Sequence, residues 1–287
     1  MNPNTFFNKS RWNKFLALGV LPVLAVYLVA CVIVACLQRQ MIYHPPVFAV
    51  ADAERLGRQS NLERWTNAAG QAIGWRRASP QQPVGGCLLI VYGNASWSVG
   101  CAHYVDAIQA VAPLDTFILE YPGYGDRPGS PSEANLFRAA DEAMPLLGTN
   151  RPLYLVGESL GSGVASYLAG KYPDHFAGVA LLSPFNSLTD VAQHHMPIFP
   201  VTLLLTDRFA SENHLKNFHG PLAIMVDGED NVVPEMFGLR LYNAYSGAKR
   251  LWEFPRGQHV SIAEQPTKFW NEVITFWQNQ KPASPRQ

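Results

Sequence analysis

The sequence predicts an α/β domain whose mostly parallel sheet is covered on both faces by helices. Three observations predict it. Short apolar runs alternate along the chain with segments of helical periodicity. These runs are apolar throughout rather than at every second residue, as strands buried on both faces are. And the pentad Gly157-Glu158-Ser159-Leu160-Gly161 stands at a junction between one such run and one such helix.

The elements follow in order. Phe15 to Leu37 contains no charged residue, which exceeds the roughly 20 apolar residues needed to cross hydrocarbon. Lys9, Arg11 and Lys14 precede it, and only Arg39 follows closely. The positive-inside rule then gives a cytoplasmic N-terminus over 1–14, a single span over 15–37 and a domain facing away from the cytoplasm, on the periplasmic side in a bacterium. A lipoprotein signal is the alternative: "LVAC" at Leu28–Cys31 and "IVAC" at Ile33–Cys36 both place small residues before a cysteine, with Cys36 as the lipid acceptor. The run is long for a signal and continues past Cys31, which favours an uncleaved anchor. The domain occupies 38–280, and "KPASPRQ" at 281–287 reads as a loose tail.

Leu62–Arg77 reads as a hairpin turning at Asn67–Gly70, an antiparallel edge to the sheet. Strands are expected at Cys87–Gly93, Asp115–Gly123, Pro152–Val156, Phe176–Phe185, Pro221–Gly228 and Arg250–Phe254. Helices are expected at Cys101–Val111, from Pro131-Ser132-Glu133 to about Leu147, after Ser159, and at Pro266–Gln278. The helix after Ser159 carries Val164, Leu168 and Tyr172 at a spacing of four, and Gly170 and Pro173 punctuate its end.

Composition excludes some classes of function. The 22 basic and 22 acidic residues cancel, so the chain has no electrostatic footprint for nucleic acid. "GYGDRPGSPSE" completes no phosphate-binding pattern and reads as a glycine-rich rim. His194 and His195 are adjacent on a helix, point in different directions and have no third ligand at metal spacing, so neither a metal nor any other cofactor is expected. Cys87 begins a strand and Cys101 lies one turn into the helix past that strand's far end. About 17–20 Å of strand separates them, against the 7 Å or so that a disulfide tolerates. Two buried thiols are expected.

A serine on a sharp strand-to-helix turn is held in a strained conformation that only small neighbours permit, which explains Gly157 and Gly161. Its hydroxyl sits at a helix N-terminus, where negative charge is favoured. In parallel sheets the functional loops gather beyond the carboxyl ends of the strands: here Gly93–Ser98, Gly157–Gly161, Asp227–Pro234 and Gly257–Ser261. A serine needs a base to take its proton, and histidine is the usual one near neutral pH. His259 lies in the last of these loops. The loop "VDGEDNVVP" offers Asp227, Glu229 and Asp230 as the acid; Asp227 lies nearest the strand end and suits loop support, while Asn231 to Pro234 fix Asp230 at the tip.

G-E-S-L-G, then G-E-D-N-V-V-P, then G-Q-H, in that order, resembles the α/β-hydrolase superfamily. In that fold the triad runs serine, acid, histidine, and His259 is the only histidine after the acidic cluster. "LQRQMIYHPP", "YGNAS", "EYPGYGDRPGSPSE" and "SPFNSL" resemble its membrane-anchored, short-lid serine hydrolase branch, which includes acyl-protein-thioesterase-like and uncharacterised bacterial members. The resemblance covers roughly residues 37–280. It implies catalysis by Ser159, Asp230 and His259, and an oxyanion hole from the backbone N–H groups of Leu160 and Asn94, with Ala95 a lesser candidate. It also implies a lid over about 187–214, whose apolar "HHMPIFPVTLLL" suits an acyl group. Met196 and Phe199 are expected to line the substrate pocket and Trp97 to narrow it. Two departures stand out: Tyr92-Gly93 replaces the family's His-Gly, and Ser96 with Trp97 replaces its glycine. The function implied is a membrane-tethered serine hydrolase that cleaves carboxylic esters or thioesters, on a small-molecule or acyl-ester substrate, through an acyl-enzyme. The competing readings are a serine peptidase with the same triad and a non-catalytic membrane-anchored binding protein on this fold.

Overall fold

The computed structural model describes residues 19–148, 150–259 and 267–280. Segment 1–14, the start of the apolar run and the tail 281–287 lie outside the described residues.

Eight strands form one sheet: β1 (Glu63–Thr66), β2 (Ala72–Arg77), β3 (Gly86–Val91), β4 (Leu114–Leu119), β5 (Leu153–Glu158), β6 (Phe176–Leu182), β7 (Leu222–Asp227) and β8 (Lys249–Phe254). Their order is β1-β2-β4-β3-β5-β6-β7-β8. β1 and β2 are the expected hairpin and β2 runs antiparallel to β4; every other pairing is parallel. The hairpin turn is closed by the Asn67 side chain, which accepts from the N–H groups of Ala69 and Gln71, with Gly70 at φ 77°.

Ten helices accompany the sheet among the described residues: α1 (Leu21–Ile42), α2 (Val50–Gln59), α3 (Ala102–Gln109), α4 (Glu133–Ala143), α5 (Leu160–Lys171), α6 (Leu188–His195), α7 (Val201–Leu204), α8 (Ser211–His214), α9 (Glu235–Ala244) and α10 (Thr267–Asn279). α4 starts where its cap requires, with Ser132 Oγ accepting from Asn135 N at 3.2 Å. α10 buries Phe269, Trp270, Val273, Ile274 and Trp277, one face of a helix. Trp277 stacks on Tyr154 at 5.0 Å and fills the space over Gly178, where a Cβ would come within 2.4 Å of the indole.

β3, β5 and β7 are buried along their whole length, which is why their sequences are apolar runs up to the Glu158 and Asp227 that end β5 and β7. The chain passes from β3 outward to β4 and then returns across β3 to β5, so the strand order reverses between β3 and β5. At such a point the loops leaving neighbouring strands diverge and leave a crevice at the carboxyl edge.

Three expectations change. α1 continues five residues past Leu37, through Ile42. Residues 98–101 form a 3₁₀ turn, and α3 ends at Gln109 rather than Val111. α2 and α9 are not among the expected helices. Cys87 and Cys101 are free and buried, as the strand length required.

Candidate active site

Ser159 follows β5 directly, with φ 47° and ψ −117°, and α5 begins at the next residue. This is left-handed backbone on a non-glycine residue, a strain that persists only where the surroundings fix it. They do. Ser159 N–H donates to Leu182 O on β6 at 2.8 Å, and Ser159 O accepts from Ser162 N at 2.8 Å. A Cβ on Gly161 would lie 2.2 Å from Val91 O, and one on Gly157 2.5 Å from the Ala165 methyl. The glycines thus let α5 close onto the ends of β3 and β5. Ser159 is only 6% exposed.

Asp230 lies in the loop after β7. Its Oδ1 accepts from Val232 N and Val233 N, both at 2.8 Å, and its Oδ2 bonds His259 Nδ1 at 2.7 Å. The carboxylate is 1% exposed and the imidazole 19%. The histidine loop is laced to the acid loop by Glu229 N donating to Gly257 O at 2.9 Å. Asp227 does different work: its Oδ2 accepts from Ser183 Oγ at 2.9 Å, tying the ends of β6 and β7. The structure therefore pairs Asp230 with His259. β5, β7 and β8 are parallel, so Ser159, Asp230 and His259 all leave the same edge of the sheet.

Two buried carboxyls lie behind this edge; both fall within motifs of the sequence, which assign them no role. Glu158 accepts from the Tyr104 hydroxyl at 2.5 Å, and burial raises its pKa. A Cβ on Gly93 would meet Glu158 Oε1 at 2.6 Å and Ser159 Cβ at 3.2 Å, so the loop after β3 lies directly on the elbow. Glu120, at the end of β4, is bonded by the Tyr92 hydroxyl and by the Ser98 hydroxyl and N–H. The Tyr92 hydroxyl also accepts from Tyr121 N at 3.2 Å, and the Tyr121 hydroxyl donates to Tyr92 O at 2.9 Å. Burial pushes the Glu120 carboxyl up to about 7, against the pull of these donors. Glu120 thus fastens both sides of the loop that carries Asn94, at Tyr92 and at Ser98. The signal that could have shown it is a tyrosine at the end of one apolar strand and a glutamate at the end of the next.

The other expected site residues have these places. Leu160 is the first residue of α5. The Asn94 side chain holds the segment after α1: Oδ1 accepts from His44 N at 2.9 Å and from the Tyr124 hydroxyl at 2.8 Å, and Nδ2 donates to Ile42 O at 2.5 Å. Ala95 has φ 55°. Trp97 packs on Phe48, ring centroids 4.1 Å apart. Met196 ends α6, and Phe199 stacks on Tyr27 of α1 at 6.3 Å. His195 Nε2 bonds Val232 O at 2.9 Å, which joins α6 to the acid loop. Among the described residues no group of three or more His, Cys, Asp or Glu side chains is disposed to hold a metal ion.

A parallel sheet bearing a strained serine elbow at its carboxyl edge, with an Asp–His pair on two later loops, defines an α/β hydrolase. Sequence comparison agrees. The sequence model of the α/β hydrolase fold family matches residues 86–279, and the chain belongs to that family. An uncharacterized protein of Mycobacterium tuberculosis is 32% identical over 251 residues, 83% of this chain and 88% of that one. An uncharacterized membrane protein of Saccharomyces cerevisiae is 34% identical over 181 residues, 60% of this chain and 63% of that one. The lysophosphatidylserine lipase ABHD12 of Xenopus tropicalis is 29% identical over 218 residues, 66% of this chain; the chain spans about half that lipase, 54% of its length. Among solved structures, Est1E from Butyrivibrio proteoclasticus superposes with a TM-score of 0.59 over 77% of this chain and all of its own, at 12% identity.

Proposed function

We propose that this chain is a membrane-tethered serine hydrolase that cleaves carboxylic esters or thioesters through an acyl-enzyme. The observation that carries the reading is the 2.7 Å bond between Asp230 and His259 at the same sheet edge as Ser159. With Nδ1 held protonated by Asp230, the free Nε2 of His259 takes the Ser159 proton as Oγ attacks the acyl carbon. The Leu160 and Asn94 N–H groups receive the oxyanion, and protonated His259 gives its proton to the leaving oxygen or sulfur. Water then enters, His259 accepts its proton, and collapse of the second tetrahedral intermediate returns Ser159. The Tyr92–Glu120 brace supports this reading, since it holds the Asn94 loop in the absence of the family's histidine.

The lipase name of one relative favours an acyl ester over a peptide. Tethering rests on α1, 22 residues long and apolar. Its unbroken course through Ile42 supports an anchor over lipidation at Cys36, and the basic residues at 9, 11 and 14 favour a domain facing away from the cytoplasm.

The test is a fluorophosphonate probe combined with a panel of esters, thioesters and aminoacyl amides. The wild-type chain is expected to label and to turn over esters or thioesters fastest, and Ser159→Ala to do neither. Labelling that survives in Ser159→Ala, or faster cleavage of amides, refutes the reading.

A further inference from the structure

The lid and α1 are bonded together along much of their length. Near the carboxyl end of α1, Gln38 Oε1 accepts from Thr206 N at 2.8 Å and Gln38 Nε2 donates to Leu204 O at 3.2 Å. Arg39 and the Tyr43 hydroxyl both reach Asp207, at 3.4 and 2.8 Å. Eleven residues earlier, the Tyr27 hydroxyl donates to Ile198 O at 2.9 Å, and its ring stacks on Phe199. Eleven residues of α-helix rise about 16 Å. The lid therefore follows α1 from the first charged residue beyond the apolar run down to a level about half of a 30 Å hydrocarbon layer deeper.

Its chemistry suits that depth. Met196 to Leu205 contains no charged residue. Ile198 is 75% exposed and Leu203 81%, two large aliphatic side chains without cover from the protein. Most of the backbone, which lipid cannot satisfy, is provided for internally. Pro197 and Pro200 carry no N–H. Gln193 Oε1 accepts from Val201 N, and its Nε2 reaches Phe199 O at 3.1 Å. Leu203, Leu204 and Leu205 donate back to Pro200 and Val201. The polar groups resume at Thr206, Asp207 and Arg208, level with Gln38 and Arg39. The segment is also fixed to the site at both ends: His195 bonds the loop of Asp230, and Phe209 packs on Gly163, one turn from Ser159.

We propose that the lid segment 196–205 is embedded in the lipid bilayer beside α1, in the leaflet on the domain's side. The domain then rests with the carboxyl edge of its sheet against the membrane, and acyl esters reach Ser159 laterally from the lipid rather than from water. This rests on reading α1 as a membrane span, and the experiment separates the two.

An environment-sensitive nitrobenzoxadiazole label is attached to the full chain at Leu203→Cys, at Val26→Cys on α1, or at Asp174→Cys on the far side of the domain. Each is made in a Cys31→Ala, Cys36→Ala background, where the remaining Cys87 and Cys101 are buried. The proteins are reconstituted into phosphatidylcholine vesicles containing doxyl-labelled lipid. The labels at 26 and 203 are expected to emit at shorter wavelength and to lose most of their intensity to the doxyl lipid, while the label at 174 is unaffected. Quenching at 26 with a label at 203 that behaves like the one at 174 overturns the lid proposal and leaves the anchor standing. A label at 26 that is not quenched removes the anchor and the lid proposal with it.

Discussion

Replacing Asp230 with asparagine changes one atom in a carboxyl group whose two oxygens are both engaged. Oδ1 faces the N–H groups of Val232 and Val233 at 2.8 Å, and Oδ2 faces His259 Nδ1 at 2.7 Å. The amide of an asparagine can turn two ways, and the two backbone N–H groups choose between them. Only an oxygen can accept from both, so the NH₂ is driven toward His259. It donates to Nδ1, the imidazole proton moves to Nε2, and the nitrogen that should receive the Ser159 proton is already protonated. The amide also carries no charge to balance the imidazolium. For a triad, a swap of this kind costs about 10⁴ in kcat, or about 5.5 kcal/mol of barrier. The fold loses only about 1 kcal/mol, because both N–H groups keep an acceptor and no buried donor is stranded. Asp227→Asn, facing the Ser183 hydroxyl instead of the imidazole, is expected to keep kcat within about tenfold. The assay is turnover of a p-nitrophenyl ester at saturating substrate, with urea unfolding of the same preparations. A kcat for Asp230→Asn within tenfold of wild type, or a larger loss in Asp227→Asn, refutes the assignment.

Ser159→Ala is expected to abolish labelling and turnover together while the chain stays folded, and adding His259→Ala should make it scarcely worse, since members of a triad act as a unit; a second large loss in the double variant would separate the two residues. Gly161→Ala places a methyl 2.2 Å from Val91 O and 2.5 Å from Tyr92 O, backbone atoms that cannot swing aside, so urea unfolding should show a loss of about 1–3 kcal/mol together with a fall in kcat. Glu120 holds its proton to about pH 7 in the folded chain, against an ordinary value of 4.5. Its contribution is therefore fully present below about pH 4.5 and is lost as pH rises through about 7, up to about 3 kcal/mol, and buried Glu158 acts in the same direction. Glu120→Gln should flatten the fall in stability between about pH 4.5 and 7, and an unchanged slope would show that the proton is held elsewhere.

What the sequence shows and what it hides divide on how far apart the partners lie. β3, β5 and β7 could be read because a strand covered on both faces leaves an apolar run. The elbow could be read because backbone strain at Ser159 demands small residues immediately beside it. α2 is harder to read: its apolar positions Ala53, Leu56 and Gly57 sit at helical spacing, but only Ala53 and Gly57 are buried, both are small, and Asp52, Glu54, Arg55 and Arg58 surround them. α9 buries only Phe237, Gly238 and Leu241, too few to show a period. The contacts between α1 and the lid join residues more than 160 positions apart, and no local pattern encodes such a pairing.

Tyr92 shows the same limit at the candidate site. Against the family's His-Gly, Tyr92-Gly93 reads as a missing brace. That inference assumes that the residue type carries the role. The role, however, belongs to a hydrogen bond across two neighbouring strands, and such a bond can be rebuilt with other groups if both ends change. Here a phenol reaches a buried carboxyl 28 residues on, and that carboxyl also gathers the Ser98 hydroxyl and N–H from the far side of the same loop. Ser98 and Tyr92 flank Asn94, so a single acid fixes the loop from both sides. A brace of this kind differs from a histidine in one physical respect. Its central group is pushed by burial to titrate near neutrality while its donors favour the charged form. The loop is therefore held by an acceptor whose charge changes near pH 7, and Glu120→Gln, which fixes that charge at zero, separates the brace's hydrogen bonding from its ionisation.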